Sequence, residues 1–149
     1  MKFAFFKAKG TLLDAAIRWW MRGTYSHVET VLEDFEDGTF LIASSVPGIG
    51  VRTTRIPLPA SDYDVVDGPG DVEAARDWFE LHNGAPYDYI GLFGFLVRPA
   101  IGANRTKFWC SEACLQAIGF PDPWRYDPNA MHDVISYAGK LAASSTTGA

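Results

Sequence analysis

Two cysteines and three histidines carry the nucleophilic and basic chemistry open to this chain. Cys110 stands in Lys107–Gln116 (KFWCSEACLQ), directly before an apolar run with helical spacing. A thiol in the first turn of a helix feels the positive end of the helix dipole, which favours the thiolate. That form attacks carbonyl carbon, so the placement suits covalent catalysis of acyl transfer. The competing reading is a small residue buried under the helix, a common fate of free cysteine. Cys114 lies four residues on, one helical turn away, where a disulfide would constrain little. A single pair also falls short of a four-ligand zinc site. No metal and no cofactor is expected.

A thiol nucleophile needs a base at hydrogen-bond range, held rigidly. His27, in Tyr25–Leu32 (YSHVETVL), opens a run with strand character, and alternation puts His27 and Glu29 on one face. His82 closes an amphipathic helix and His132 lies in a late segment, and both fit helix-end or surface roles better. A third group normally orients the histidine through its other ring nitrogen. Ser44 and Ser45 sit on the strand that a hairpin would pair with that of His27. Glu29, Asp88 and Glu112 are the other candidates. Two residues along a strand is a long reach for a carboxylate, so Ser44 ranks first. Tyr87, in Gly84–Gly91 (GAPYDYIG), is a candidate donor to a developing oxyanion, beside the Cys110 backbone N–H. A core aromatic with a satisfied hydroxyl is the alternative.

The elements that would position these groups follow from periodicity. Lys2–Lys7 reads as a strand and Thr11–Arg22 as a helix, with a capping-box start at Thr11 and Asp14 and a stop at Gly23. Ser26–Glu33 and Thr39–Ser45 read as strands joined at Asp37-Gly38, a strong hairpin signal. Val51–Ile56 is a third strand of that set, and Asp64–Val66 a short edge strand. Asp71–His82, Ser111–Ile118 and Asn129–Leu141 read as helices, with Ala85–Lys107 irregular apart from one short helix. Ala142–Ala149 (AASSTTGA) reads as a disordered tail. The expectation is a single α+β domain over residues 1–141, with a mostly antiparallel sheet or small barrel packed against helices.

In this order the pieces resemble the permuted papain-like amidases, the YiiX- and YaeF-like cysteine peptidases distantly related to NlpC-type cell-wall hydrolases. The resemblance rests on Ser26–Glu29 (SHVE) on a strand, the hairpin, the strand ending near Ser44, Gly84–Asp88 (GAPYD), and Trp109–Glu112 (WCSE) opening a helix. Lecithin retinol acyltransferase and its kin also place histidine before cysteine. What the resemblance implies is a circularly permuted papain-like domain with Cys110 as nucleophile and His27 as base. Its third polar residue, often Glu, would fall on the strand after the hairpin. This chain has Ile42-Ala43-Ser44-Ser45 there, which makes Ser44 the substitute. The similarity of GAPYD to the segment before the cysteine in NlpC-type enzymes raises Tyr87.

The expected activity is therefore a thiol hydrolase cleaving an amide bond in a peptide, peptidoglycan-type or conjugate substrate. Lipid acyl transfer or thioester cleavage is the enzymatic alternative, since the apolar stretch Tyr89–Ile101 suits an acyl chain. A silent binding module on the same shell is the other. The partner expected is an amide- or acyl-bearing substrate. Nucleic acid is disfavoured, because 18 acidic against 13 basic residues give a net charge of −5. No apolar run approaches the ~20 residues of a membrane span. The start, MKFAFFKAKG, is too short between its lysines for the core of a signal peptide. A cytoplasmic location is the resulting expectation, and a phage origin is compatible with it.

Overall fold

The computed structural model describes residues 1–94 and 106–146. Its core is one open antiparallel sheet in the order β4-β3-β2-β1-β5, built from β1 (Lys2–Phe6), β2 (His27–Asp34), β3 (Thr39–Val46), β4 (Gly50–Pro57) and β5 (Tyr63–Asp67). Among the described residues the sheet does not close into a barrel. Two strand pairs are tight hairpins or near it. The Asp37-Gly38 turn joins β2 to β3, with Gly38 at φ +78°, a conformation that glycine adopts without a Cβ penalty.

Alternation along the strands separates two apolar clusters. Phe3, Phe5, Val28 and Ala43 face the helices, whereas Ala4, Val31 and Ile42 pack with Phe40, Ile56, Leu58 and Tyr63. Each fully buried Phe contributes about 1.5–3 kcal/mol relative to an exposed one. Phe3, Phe5, Phe79 and Phe108 are all in that class.

Among the described residues five α-helices accompany the sheet: α1 (Leu12–Met21), α2 (Val72–Leu81), α3 (Tyr89–Gly94), α4 (Cys110–Ala117) and α5 (Pro128–Thr146). Thr11 and Asp14 form the capping box that their spacing predicts, and Asp71 caps α2 through the Ala74 N–H. At the end of α1 it is Arg22, not Gly23, that takes the left-handed conformation, at φ 50°. The last helix runs on to Thr146, five residues beyond the predicted Leu141, so most of the segment read as a tail is helical. Residues 147–149, and most of the loop between α3 and α4, lie outside the described residues.

α4 is the hub. Cys110, Ser111, Glu112, Ala113, Cys114, Leu115 and Ala117 are all buried, leaving Gln116 the least covered. A helix enclosed on every side belongs to the interior. It packs against β2 and β3, and against α2, α5 and the 3₁₀ turn Pro123–Arg125. Its N-terminus is thereby fixed over the start of β2.

Candidate active site

Cys110 is the first residue of α4, following an extended Trp109 at the N-cap. The chain reaches this point from a segment held on both sides. Phe108 bridges Tyr87, accepting the Asp88 N–H and donating to the Pro86 carbonyl, each at 3.2 Å. The Ser45 hydroxyl donates to the Phe108 carbonyl at 2.5 Å. The Gly84–Ala85 turn is tied in turn to the start of β4: Gly84 N–H donates to Val51 O, and Val51 N–H to Ala85 O. Gly50, at φ +92°, permits this approach, since a Cβ there would stand 2.2 Å from the Ala85 carbonyl oxygen. GAPYD is thus a brace joining β4 to the strand-like entry into α4.

His27, the first residue of β2, has the Cys110 side chain as a close neighbour that favours its charged ring. Its Nε2 lies 2.9 Å from Glu29 Oε1. The Glu29 carboxylate is 2% exposed and is held from its other side by Arg52, whose two terminal nitrogens reach it at 2.6 and 3.1 Å. Arg52 stands on β4, two strands from Glu29, and opposite Ser44 on the intervening β3. The arrangement is a chain, Arg52–Glu29–His27–Cys110, buried at Glu29 and Cys110 and half-buried at Arg52 and His27.

The electrostatics follow from it. Burial alone would lower the His27 pKa, but the Glu29 carboxylate and the Cys110 sulfur overcome burial and push it up to about 10. Burial likewise penalises the Glu29 carboxylate. The imidazolium and the guanidinium outweigh that and hold its pKa below the usual carboxylate value. The pairing with Glu29 thus favours the charged form of the ring. Burial pushes the Tyr87 phenol far up, with the nearby Cys110 sulfur adding to the effect, so it stays a neutral donor. Tyr87 is 6% exposed and packs in a cluster with Ile17, Leu92 and Trp109.

Ser44 is not beside His27 in this network. Its hydroxyl donates to the Val28 carbonyl at 2.7 Å and lies 3.9 Å from the Cys114 sulfur, so it seats α4 on the sheet. Glu29 takes the place expected for Ser44. The physical reason is reach: imidazole and carboxylate are long side chains that lean toward each other along the strand, closing the two-residue gap. Arg52 was invisible to sequence reasoning, because an Arg alternating on a strand looks like any solvent-facing one.

The remaining candidates lie elsewhere. Asp88 accepts the Gly91 N–H at the start of α3. Glu112, at the third position of α4, accepts the Trp109 backbone N–H, which is half of a capping box. Its Oε2 is buried without a partner among the described residues. Burial, with Asp88 nearby, pushes the Glu112 pKa up to about 8 despite that hydrogen bond. His82 stacks on Trp78 at 4.1 Å and caps α2, and His132 packs against Tyr25 and Phe5. Cys114 is fully buried, and burial pushes its thiol far above an ordinary one. Among the described residues no cluster of His, Cys, Asp and Glu could hold a metal ion, and no helix is long and apolar enough to cross a membrane.

What this arrangement can do chemically is acyl transfer: a sulfur nucleophile, a histidine to shuttle its proton, a carboxylate to orient the ring, and donors for an oxyanion. No family model, curated protein or solved structure matches the chain.

Proposed function

We propose that the protein is a cysteine hydrolase of the permuted papain-like type, acting on an amide bond. The observation that carries this reading is the His27 ring, hydrogen-bonded to the buried Glu29 carboxylate and neighbouring Cys110 at the N-terminus of a buried helix. A histidine with no chemical duty would rarely be drawn into a charge chain of this kind, since burying the Glu29 carboxylate between two half-buried partners costs desolvation free energy without a net gain in stability.

The reaction proceeds from a Cys110 thiolate and a His27 imidazolium. Sulfur attacks the amide carbonyl carbon, and the electron pair of the C=O bond moves to oxygen. The Cys110 backbone N–H, which has no partner within the first turn of a helix, and the Tyr87 hydroxyl would be the donors to that oxyanion. His27 gives its proton to the departing amine as the C–N bond breaks, leaving a thioester on Cys110. Water then attacks the thioester while His27 takes one of its protons. The acid leaves and the thiolate–imidazolium pair is restored. Glu29 keeps the ring in register through both steps and stabilises its charged form. Arg52 does the same for Glu29.

The test is turnover of a panel of peptide and acyl amides by wild type, Cys110→Ala and His27→Ala, with folding checked by circular dichroism. Both variants should lose at least about a thousandfold in kcat/KM while remaining folded. Retained turnover in folded Cys110→Ala sinks the assignment. Iodoacetamide labelling resolved by mass spectrometry adds a substrate-free check. Cys110 should react in the folded protein in a His27-dependent way, while Cys114 stays protected until unfolding.

A further inference from the structure

Helix α1 is built inside out. Its polar residues Asp14 and Arg18 turn toward the protein, Asp14 to Thr11 and Ser26 and Arg18 to Ser26 and the Ala8 and Lys9 carbonyls. Its outward face is Leu12, Leu13, Ala15, Ala16, Trp19 and Trp20, all exposed. Leu12 is 91% and Trp19 76% exposed, and the two indoles lie side by side at 6.1 Å. Only Ile17 is buried. A groove of about 150 Å³ runs along this face and is closed on one side by Leu92 of α3. Nothing among the described residues covers the face. An exposed apolar patch this continuous marks an interaction surface.

Charge selects the occupant. The chain carries a net charge of −5, yet its first 23 residues hold Lys2, Lys7, Lys9, Arg18 and Arg22 against Asp14 alone. Lys2 and Lys7 are paired with Asp34 and Asp64. Lys9 and Arg22, exposed at the two ends of α1, have no ion-pair partner among the described residues. A strip of Leu and paired Trp flanked by free cations matches the boundary between lipid headgroups and acyl chains, where indole rings settle and cations meet anionic headgroups. A protein partner would not require the cations, and a second copy of this acidic chain would bring the same cations face to face.

We propose that α1 is a peripheral docking helix that seats the protein on an anionic lipid surface, with Leu12, Trp19 and Trp20 entering the interface and Lys9 and Arg22 on the headgroups. This inference does not rest on the chemistry assigned to Cys110. Ile17 and Leu92 pack with Tyr87 and Trp109, so a docked α1 would hold the candidate site close to the lipid surface.

Co-sedimentation of the full chain with vesicles of phosphatidylcholine and phosphatidylglycerol tests it. Wild type should bind, with a blue shift in Trp emission, and binding should weaken as salt rises. Trp19→Ser with Trp20→Ser should cut binding at least about tenfold, and Lys9→Glu with Arg22→Glu should abolish the preference for anionic over pure phosphatidylcholine vesicles. Because the substituted side chains are exposed, circular dichroism should show both variants folded. Absence of binding by wild type overturns the proposal, as does equal binding by the folded Trp variant. Sedimentation velocity covers the competing occupant: self-association that the Trp substitutions abolish would assign the face to a second copy instead.

Discussion

Replacing Glu29 by Gln removes one charge from the centre of the Arg52–Glu29–His27–Cys110 chain while keeping shape and an acceptor oxygen. Opposite unit charges about 3 Å apart attract by about 5 kcal/mol at an effective dielectric of ~20, equivalent to ~4 pKa units as a ceiling. The Glu29–His27 separation is 2.9 Å, and the His27 side chain is 15% exposed, which screens part of this. The amide of Gln also still accepts a hydrogen bond. A fall of about 2–3 units in the His27 pKa, from about 10, is the expected result. The stability consequence has a definite sign. A histidine whose folded pKa lies above its unfolded 6.5 contributes stability that is complete below pH 6.5 and lost as pH rises through about 10. In Glu29→Gln that window contracts toward pH 7, and Arg52 is stranded. The variant should therefore be less stable at neutral pH by about 3 kcal/mol, the lower end for breaking a buried pair, because Arg52 is 21% exposed. The assay is NMR titration of the imidazole nitrogens, with His82 and His132 as internal references, alongside denaturant melts. Ser44→Ala is the discriminating control and should leave the His27 curve in place. If His27 in folded Glu29→Gln titrates within about half a unit of wild type, the carboxylate does not set its charge and the orienting role is refuted.

Two further outcomes follow from the geometry. Glu112, with a folded pKa of about 8 against 4.5 unfolded, binds its proton more tightly when folded, so its contribution to stability falls as pH rises from about 4.5 to about 8. The slope is about 1.4 kcal/mol per pH unit at most, and Glu112→Gln should flatten it in urea melts taken across that range. Gly91→Ala would place a Cβ 2.3 Å from the Trp109 ring and should cost about 1–3 kcal/mol in thermal or denaturant unfolding, with reduced Cys110 labelling selectivity because Trp109 caps α4.

Periodicity along the chain determined most of the frame. The Thr11 capping box, the Asp37-Gly38 turn and the shared face of His27 and Glu29 are local signals, each settled within a few residues, and the structure places all three as read. The start of α4 was legible to within one residue for the same reason: the helix read from Ser111 begins at Cys110. The order β4-β3-β2-β1-β5 was not, because alternation marks a strand without naming its neighbours. Ser44 was favoured because the hairpin puts its strand next to that of His27, an adjacency the sequence does supply. What it omits is where side chains lean and what lies beyond the adjacent strand. Glu29 meets His27 only through the reach of two long side chains, and Arg52 meets Glu29 only because the sheet sets β4 two strands away in the right register. Residue types and local spacing thus picked out Cys110 and His27 as the candidate pair. The charge that holds them together spans three strands, and only tertiary pairing could decide it.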